Sequence, residues 1–318
     1  MRTRILCCAA ALWLLLGGCA APQGPFGLDA GRIQADTEYL CNEIGDRPTG
    51  TEKERLACDW LEERLKELGF SREEGTLERT GFQGLFELTS ENLTAVCNPG
   101  SGGPILCVMA HYDTVEGSPG ARDNTSSAAV LLELARYLGP AREELNGEIR
   151  LLFLGSEENG YHGASAYVES LTGEERARHL AAFNMENSAA SPGEGAVLTC
   201  GTQGGIVDGE YQEGNFLEPM PNLATRALSR AYEEYYRGDP LPVFHRGMSD
   251  HVIFHEAGIE AANISWRFLD ADGMATVPPE YHLPTDVPET MSFAEGAVTG
   301  ECILGAIFQL CGAAPDGK

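Results

Sequence analysis

The sequence predicts an α/β fold, with a mixed, largely parallel central sheet and helices on both faces. Three observations carry that prediction. Short, wholly apolar runs such as Ile105–Ala110 have the pattern of strands buried on both sides. Stretches of helical period such as Ser127–Leu138 lie between those runs. The two kinds of segment alternate along most of the chain, the order that winds a parallel sheet.

Ile33, Leu40 and Ile44 predict a first helix. Thr51–Leu68 predicts a second: Thr51 and Glu54 make a capping box, Ala57, Trp60, Leu61, Leu65 and Leu68 form one apolar stripe, and Gly69 supplies the stop. Strands are expected around Phe82–Leu88 and Leu93–Cys97, followed by a Gly/Pro turn over 99–104. Strand Ile105–Ala110 and helix Ser127–Leu138 come next, then strand Ile149–Leu154, helix Ala164–Leu171 and strand Ala181–Met185. The Gly-rich stretch Gly201–Gly214 is expected to be a loop over the active site. Helices Leu223–Tyr236 and Ser249–Glu256, strand Ala261–Ile264 and a closing helix Met291–Leu310 complete the pattern. No repeat or linker interrupts residues 29–318, which read as one catalytic-sized domain.

The chain carries 22 Lys+Arg against 48 Asp+Glu, a net charge of -26. Nucleic acid and anionic membrane surfaces are thereby excluded as partners, because phosphate binding needs a basic footprint. Hydrophobic residues at 43% and charged residues at 22% mark a folded chain rather than a disordered one.

Arg2 and Arg4 precede an apolar run, Ile5–Leu16, too short to span a bilayer and laid out like a signal peptide. The run ends Leu16-Gly17-Gly18-Cys19-Ala20, which resembles a bacterial lipoprotein box. The resemblance implies loss of residues 1–18, lipidation of Cys19 and a tether over 19–28. The protein would then be extracytoplasmic and touch the membrane through its lipid anchor only. Loss of 1–18 removes two arginines and no acidic residue, so the remainder is more acidic still. Of the ten cysteines, Cys7 and Cys8 leave with the leader and Cys19 becomes the anchor. The rest are odd in number, irregularly spaced and without Cys-x-x-Cys, so they form neither a disulfide framework nor a zinc ribbon. Cys97 and Cys107 flank a Gly/Pro turn and could pair; most of the others read as small buried hydrophobes.

Ligands of open α/β sheets bind beyond the carboxyl ends of the strands. There, His111 follows Ile105–Ala110, with Asp113 two residues on. Glu157 and Glu158 follow Ile149–Leu154 after Gly155-Ser156, and Glu186 closes the strand through Asn184-Met185. Asp123 lies in the Gly/Pro-rich loop before the next helix and faces the same rim. Alone, Asp123 would pass for a helix cap and Glu157-Glu158 for an exposed acidic loop; the ordered set argues otherwise. Clustered carboxylates repel and raise one another's pKa, and divalent metal ions are the natural compensation. Mixed imidazole and carboxylate ligands suit zinc better than manganese or cobalt. His251 and His255 stand i,i+4, but Val252 occupies the position where a His-Glu-x-x-His motif needs glutamate. No dinucleotide or phosphate loop is found.

These residues carry a family resemblance. Ala110-His-Tyr-Asp-Thr-Val115 through Gly117-Ser-Pro-Gly-Ala-Arg-Asp-Asn-Thr-Ser-Ser127 resembles the first signature of metallopeptidase family 28. That family comprises two-zinc exopeptidases, among them bacterial leucyl aminopeptidases and the glutamate carboxypeptidase II group. Phe153-Leu-Gly-Ser-Glu-Glu-Asn-Gly160 resembles its Glu-Glu signature, and Tyr281-His-Leu-Pro-Thr-Asp286 the segment that gives its last histidine. Asp46-Arg-Pro-Thr-Gly-Thr51, Ser249-Asp-His251 and Gly258-Ile-Glu260 fit in order and spacing.

The resemblance implies the zinc-exopeptidase (phosphorylase/hydrolase-like) fold and two zinc ions per chain. One would be bound by His111, Asp123 and Glu186, the other by Asp123, Glu158 and His282, with Asp123 bridging. Glu157 would be the general base, and Asp113 would accept the far ring proton of His111 and orient it. The family usually has aspartate where Glu186 stands, and the extra methylene could change metal spacing or the substrate pocket. Arg122, just before Asp123, could touch a substrate carboxylate. The expected activity is zinc-dependent hydrolysis of short peptides, as an aminopeptidase because an acidic rim suits a free amino terminus. A carboxypeptidase or dipeptidase would use Arg122, Arg246 or Arg267 to hold a terminal carboxylate. A glutaminyl cyclase would use one zinc, and a binding lipoprotein would have no reason to keep the whole set. Tyr161, Tyr211 and Tyr281 are candidate donors to an oxyanion.

Overall fold

The computed structural model describes residues 24–312 apart from 143, 202–203, 208–209, 214–217, 237–238, 246–248, 271–272, 274 and 277. Of 204–207 and 211–213 it describes the backbone alone. The expected leader, Cys19, Arg246 and the side chain of Tyr211 therefore lie outside the described residues.

Helix α1 (Ala30–Tyr39) starts at Asp29, whose carboxylate accepts from the N–H groups of Gly31 and Arg32, and runs into a π-helical turn at Leu40–Ile44. In α2 (Glu52–Glu67) only half of the expected capping box forms. Thr51 accepts from the Glu54 N–H, but the buried Glu54 carboxylate takes the Gly50 N–H at 2.7 Å and the Ser90 hydroxyl at 2.5 Å. The remaining elements are β1 (Leu77–Gln83), β2 (Thr89–Cys97), β3 (Ile105–His111), α3 (Ser126–Leu138), β4 (Glu148–Leu154), α4 (His162–Ser170), α5 (Gly173–Arg178), β5 (His179–Glu186), β6 (Gly195–Thr199), β7 (Gly204–Val207), β8 (Glu210–Glu213), α6 (Leu223–Tyr236), β9 (Val243–Phe244), α7 (His251–Glu256), β10 (Ala261–Leu269), β11 (Ala275–Thr276) and α8 (Ala294–Cys311).

The main sheet runs β1-β2-β4-β3-β5-β10-β6-β9, with β11 on β10. Its centre, β4-β3-β5-β10, is parallel; β1 and β2 pair antiparallel to their neighbours, and β6 is antiparallel to β10 but parallel to β9. The expected mixed, largely parallel sheet is what forms. Side chains of β3 alternate across it: Leu106, Val108 and Ala110 enter one core, Ile105, Cys107 and Met109 the other. The first core is the larger, filled by α1, α2, α3, α6 and α8; the second lies beneath α4 and α7. α8 is long and apolar enough to cross a membrane, but most of it is buried in the larger core.

The structure also corrects the sequence reading of two chain segments and of one cysteine pair. The strand expected at Phe82–Leu88 forms earlier, at β1, and Leu85–Glu87 make a single 3-10 turn with Phe86 exposed. β1 is an edge strand with little buried surface, so its polar sequence gave no apolar signal. The Gly-rich stretch expected as a loop contains the antiparallel pair β7 and β8. Cys97 and Cys107 are free thiols, because β4 runs between their strands and their side chains enter opposite cores. Every described cysteine is free and buried, as the reading of small buried hydrophobes expects.

Residues within the expected tether are already part of the fold. Phe26 stacks on Phe308, and the N–H groups of Phe26 and Leu28 donate to the Glu301 carboxylate on α8 at 2.9 and 3.0 Å.

Candidate metal centre

The rim beyond β3, β4 and β5 is built from residues that break away from their strands abruptly. Ser156 after β4, Asn187 after β5 and His282 all have left-handed backbone, φ 58°, 52° and 61°. Each such residue costs about 1–3 kcal/mol, a burden that persists where surrounding bonds fix the geometry. The loop before α3 needs Gly120, whose φ is 61° and where a Cβ would collide with the Thr114 side chain and the Asp123 carbonyl. The Asp123–Asn124 peptide bond is cis.

Asp113 ties two strand ends together. Its carboxylate accepts from the backbone N–H groups of Glu157 at 3.1 Å and Glu158 at 3.2 Å, and from the Thr49 hydroxyl at 3.3 Å. The far ring nitrogen of His111, Nδ1, lies 3.1 Å from the Asp113 main-chain carbonyl and 3.4 Å from its carboxylate. The carbonyl and the carboxylate of Asp113 therefore both face Nδ1, the carbonyl the nearer, while the carboxylate also holds the two glutamate N–H groups.

Two donor groups result. In the inner group, His111 Nε2 lies 3.4 Å from Asp123 Oδ1 and 3.4 Å from Glu186 Oε1. In the outer group, His282 Nε2 lies 3.2 Å from Asp123 Oδ2 and 3.1 Å from Glu158 Oε2. Within each group the donor atoms all lie within 4.8 Å of one another. Asp123 gives one oxygen to each group. Glu157 sits beside them, Oε2 3.8 Å from His111 Nε2. The longer Glu186 reaches as close to His111 as Asp123 does, and the Ser249 hydroxyl holds it by donating to Oε1 at 2.6 Å.

The electrostatics are those of a site that attracts cations. Burial opposes charge on His111, yet Glu157 and Glu186 take its pKa well above the ordinary value. Burial likewise opposes His282, but the Asp123 and Glu158 carboxylates close to its Nε2 raise it to about 10. Burial, with the charge of Asp123, raises Glu158 to about 7. Burial lifts Glu157 well above the usual carboxylate range, with His111 opposing. Burial pushes Asp123 up as well, but the two imidazoles prevail and its pKa falls. Glu158 Oε1 and His282 Nε2 are buried and accept or donate no hydrogen bond. One imidazole and two carboxylates per group, with donor atoms left over, fit divalent ions of the zinc type.

Several site residues were missed by sequence reasoning. Asp286 receives the N–H of Arg122 at 2.8 Å and of Asp123 at 3.2 Å, fixing the shared ligand. Asn124 donates to the Met185 carbonyl and accepts from the Asn187 N–H, tying that loop to β5. Asp250 is fully buried, raised to about 8 by burial against the opposing charge of His111. Ser249, Asp250 and Asp286 all fall inside the motifs quoted above, which is the signal that could have found them. Arg122 is placed differently from expectation. Its guanidinium is fully buried on Glu194, at 2.9 and 2.7 Å, and Ser191, so it is not free to meet substrate. Breaking such a buried pair costs about 3–5 kcal/mol. Of the three tyrosines, Tyr281 lines the cavity beside the donor groups and stacks on His282.

Comparison with known proteins gives one consistent result. The model of Peptidase family M28 matches residues 92–307. Aminopeptidase YwaD of Bacillus subtilis is 32% identical over 240 residues, 75% of this chain and 48% of the relative. The chain thus spans about half the length of that curated relative, and less of others. The structure of BSAP, a zinc aminopeptidase from Bacillus subtilis, superposes with a TM-score of 0.74 at 21% identity, covering 92% of this chain and 97% of that one. A Porphyromonas gingivalis glutaminyl cyclase superposes at 0.70 and 20% identity, covering 89% and 99%. Likeness at that identity establishes the fold alone.

Proposed function

The chain belongs to peptidase family M28, and from that premise we propose that it is a zinc-dependent exopeptidase that removes amino-terminal residues from peptides. The observation that carries the reading is the pair of donor groups sharing Asp123 with Glu157 beside them. The second, complete group favours a two-zinc hydrolase over the single-zinc cyclase reaction. His111, Asp123 and Glu186 would hold one zinc and Asp123, Glu158 and His282 the other. Bound there, the ions supply Lewis acidity toward the scissile carbonyl and the attacking water.

Glu157 takes a proton from that water as its oxygen bonds to the carbonyl carbon. As the C–N bond breaks, Glu157 hands the proton to the leaving nitrogen. Such positioned proton transfer is worth about 100- to 10,000-fold. The Asp113 carboxylate fixes the backbone of Glu157 and Glu158, so base and ligand keep separate directions. Burial holds the Tyr281 hydroxyl protonated, able to donate to the developing oxyanion. A protonated amino terminus suits a rim of carboxylates, and with Arg122 neutralised by Glu194 one of the expected clamps for a terminal carboxylate is gone.

The leader over 1–18, the lipidated Cys19 and the tether from Cys19 complete the proposal as a membrane-anchored extracytoplasmic enzyme, with 29–318 as the catalytic domain. Docking of Phe26 and Leu28 on α8 would shorten the free tether.

The test is metal analysis of purified protein together with peptides probing amino-terminal, carboxy-terminal and amino-terminal glutaminyl processing. Two zincs and release of amino-terminal residues, abolished in Glu157→Gln, is the expected result. One zinc with a pyroglutamyl product would establish the cyclase instead, and zinc binding without any turnover would sink the enzymatic reading.

A further inference from the structure

Resting on that hydrolytic reading, we propose that one face of β10, carrying Asn263, Ser265 and Arg267, is the subsite for the side chain of the substrate's amino-terminal residue. Its chemistry selects an acidic residue, glutamate or aspartate.

Alternate residues of a strand share a face, and these three line a cavity of about 110 Å³. Another wall of that cavity is Asp123, Glu157 and Glu186, so the subsite opens directly onto the reacting centre. The neighbouring strand β6 contributes Val197 and Thr199 to the lining. Asn263 is already committed, bonded to Asn184 and Thr199, and acts as fixed wall.

Ser265 and Arg267 are different. Ser265 is 1% exposed, yet its hydroxyl has no hydrogen-bond partner. A buried hydroxyl left unpaired is costly, and native structures keep few of them. Arg267 stands opposite Gly195 in the strand register, so no side chain faces it across the pair. No ion pair joins its guanidinium to a carboxylate among the described residues, whereas Arg122 is capped by Glu194. Among the described residues, Glu194 neutralises Arg122, and no carboxylate does the same for Arg267 on the cavity wall.

A leucine side chain entering here would desolvate a hydroxyl and a guanidinium without pairing either. A carboxylate would accept from both in charge-assisted bonds. The site then has two poles: the metal-binding rim for the substrate's amino end, and Arg267 for its side-chain carboxylate.

The experiment uses the full zinc-loaded chain and fluorogenic amides of glutamate, glutamine, leucine and lysine. Glutamate should exceed glutamine in kcat/KM by roughly 10- to 100-fold, the margin of two charge-assisted hydrogen bonds over neutral ones. Arg267→Met should bring that ratio close to one, and Arg267→Glu should turn the preference toward lysine. A wild-type ratio near one, or a ratio unmoved by Arg267→Met, overturns the proposal. So does an effect of Arg267→Met that depends only on whether a dipeptide ends in a free acid or an amide, which would assign Arg267 to the terminal carboxylate. Calorimetry of free glutamate against glutamine on the loaded protein reads the same subsite without turnover. Arg267-dependent glutamate binding with no hydrolysis of any amide would uphold the subsite and overturn the hydrolytic reading alone.

Discussion

The two donor groups share a carboxylate but not an environment. The inner one is sealed, His111 being 1% exposed, while His282 of the outer one is 34% exposed. The inner imidazole ends a central strand, held by the strand ladder and the Asp113 carbonyl. The outer one sits on a loop in left-handed backbone, steadied by Tyr281 stacking. Equal ligand chemistry on unequal scaffolds teaches that the two ions should differ in exchange rate and in what their loss does to the fold.

The strongest break of that comparison is Asp123→Asn, which takes one charge from both groups. Activity should fall roughly a thousandfold or more, the scale of losing several kcal/mol of Lewis-acid stabilisation. Metal analysis should show both ions weakened; one ion kept at full occupancy would show that Asp123 is not shared.

Next come the paired variants His111→Ala and His282→Ala. The first strands buried carboxylates and should lower Tm by several degrees, at about 2–4 °C per kcal/mol for a domain of this size. The second should cost clearly less stability. Dialysis against a chelator should then remove the ions in two phases, the outer first. Equal Tm shifts and a single phase would make the two groups equivalent.

The smallest effect is protonic. The folded pKa of His282 lies above its ordinary value of 6.5, at about 10, in the metal-free protein. Its pairing with Asp123 and Glu158 therefore stabilises fully below about pH 6.5, and that contribution is lost as pH rises through about 10. Zinc needs the imidazole neutral, so outer-ion affinity should rise about tenfold per pH unit across that window, with one proton released. Calorimetry in buffers of different ionisation enthalpy measures that proton; an affinity independent of pH would remove the competition.

Much of the centre was legible because sequence position and spatial position coincide at strand ends. His111, Glu157, Glu158 and Glu186 follow apolar runs that could only be buried strands. What was not legible depends on partners far along the chain. The partner of Arg122 is Glu194, 72 positions away, and nothing local distinguishes a capped arginine from a free one. Ser249 reaches Glu186 from 63 positions away. β6 was missed and β1 misplaced for another reason: one is short and the other polar, so neither makes a run long enough to read.

The seven buried thiols have a consequence for how such a chain must be made. None forms a disulfide, so each is protected only by the core that closes over it. A chain exported unfolded would carry all seven into an oxidising compartment before that protection exists. Its yield would then be set by a race between collapse of the core and air oxidation or mispairing of sulfur. Burial raises the pKa of each of the seven, and the same closure that hides a thiol also keeps it from becoming the reactive thiolate.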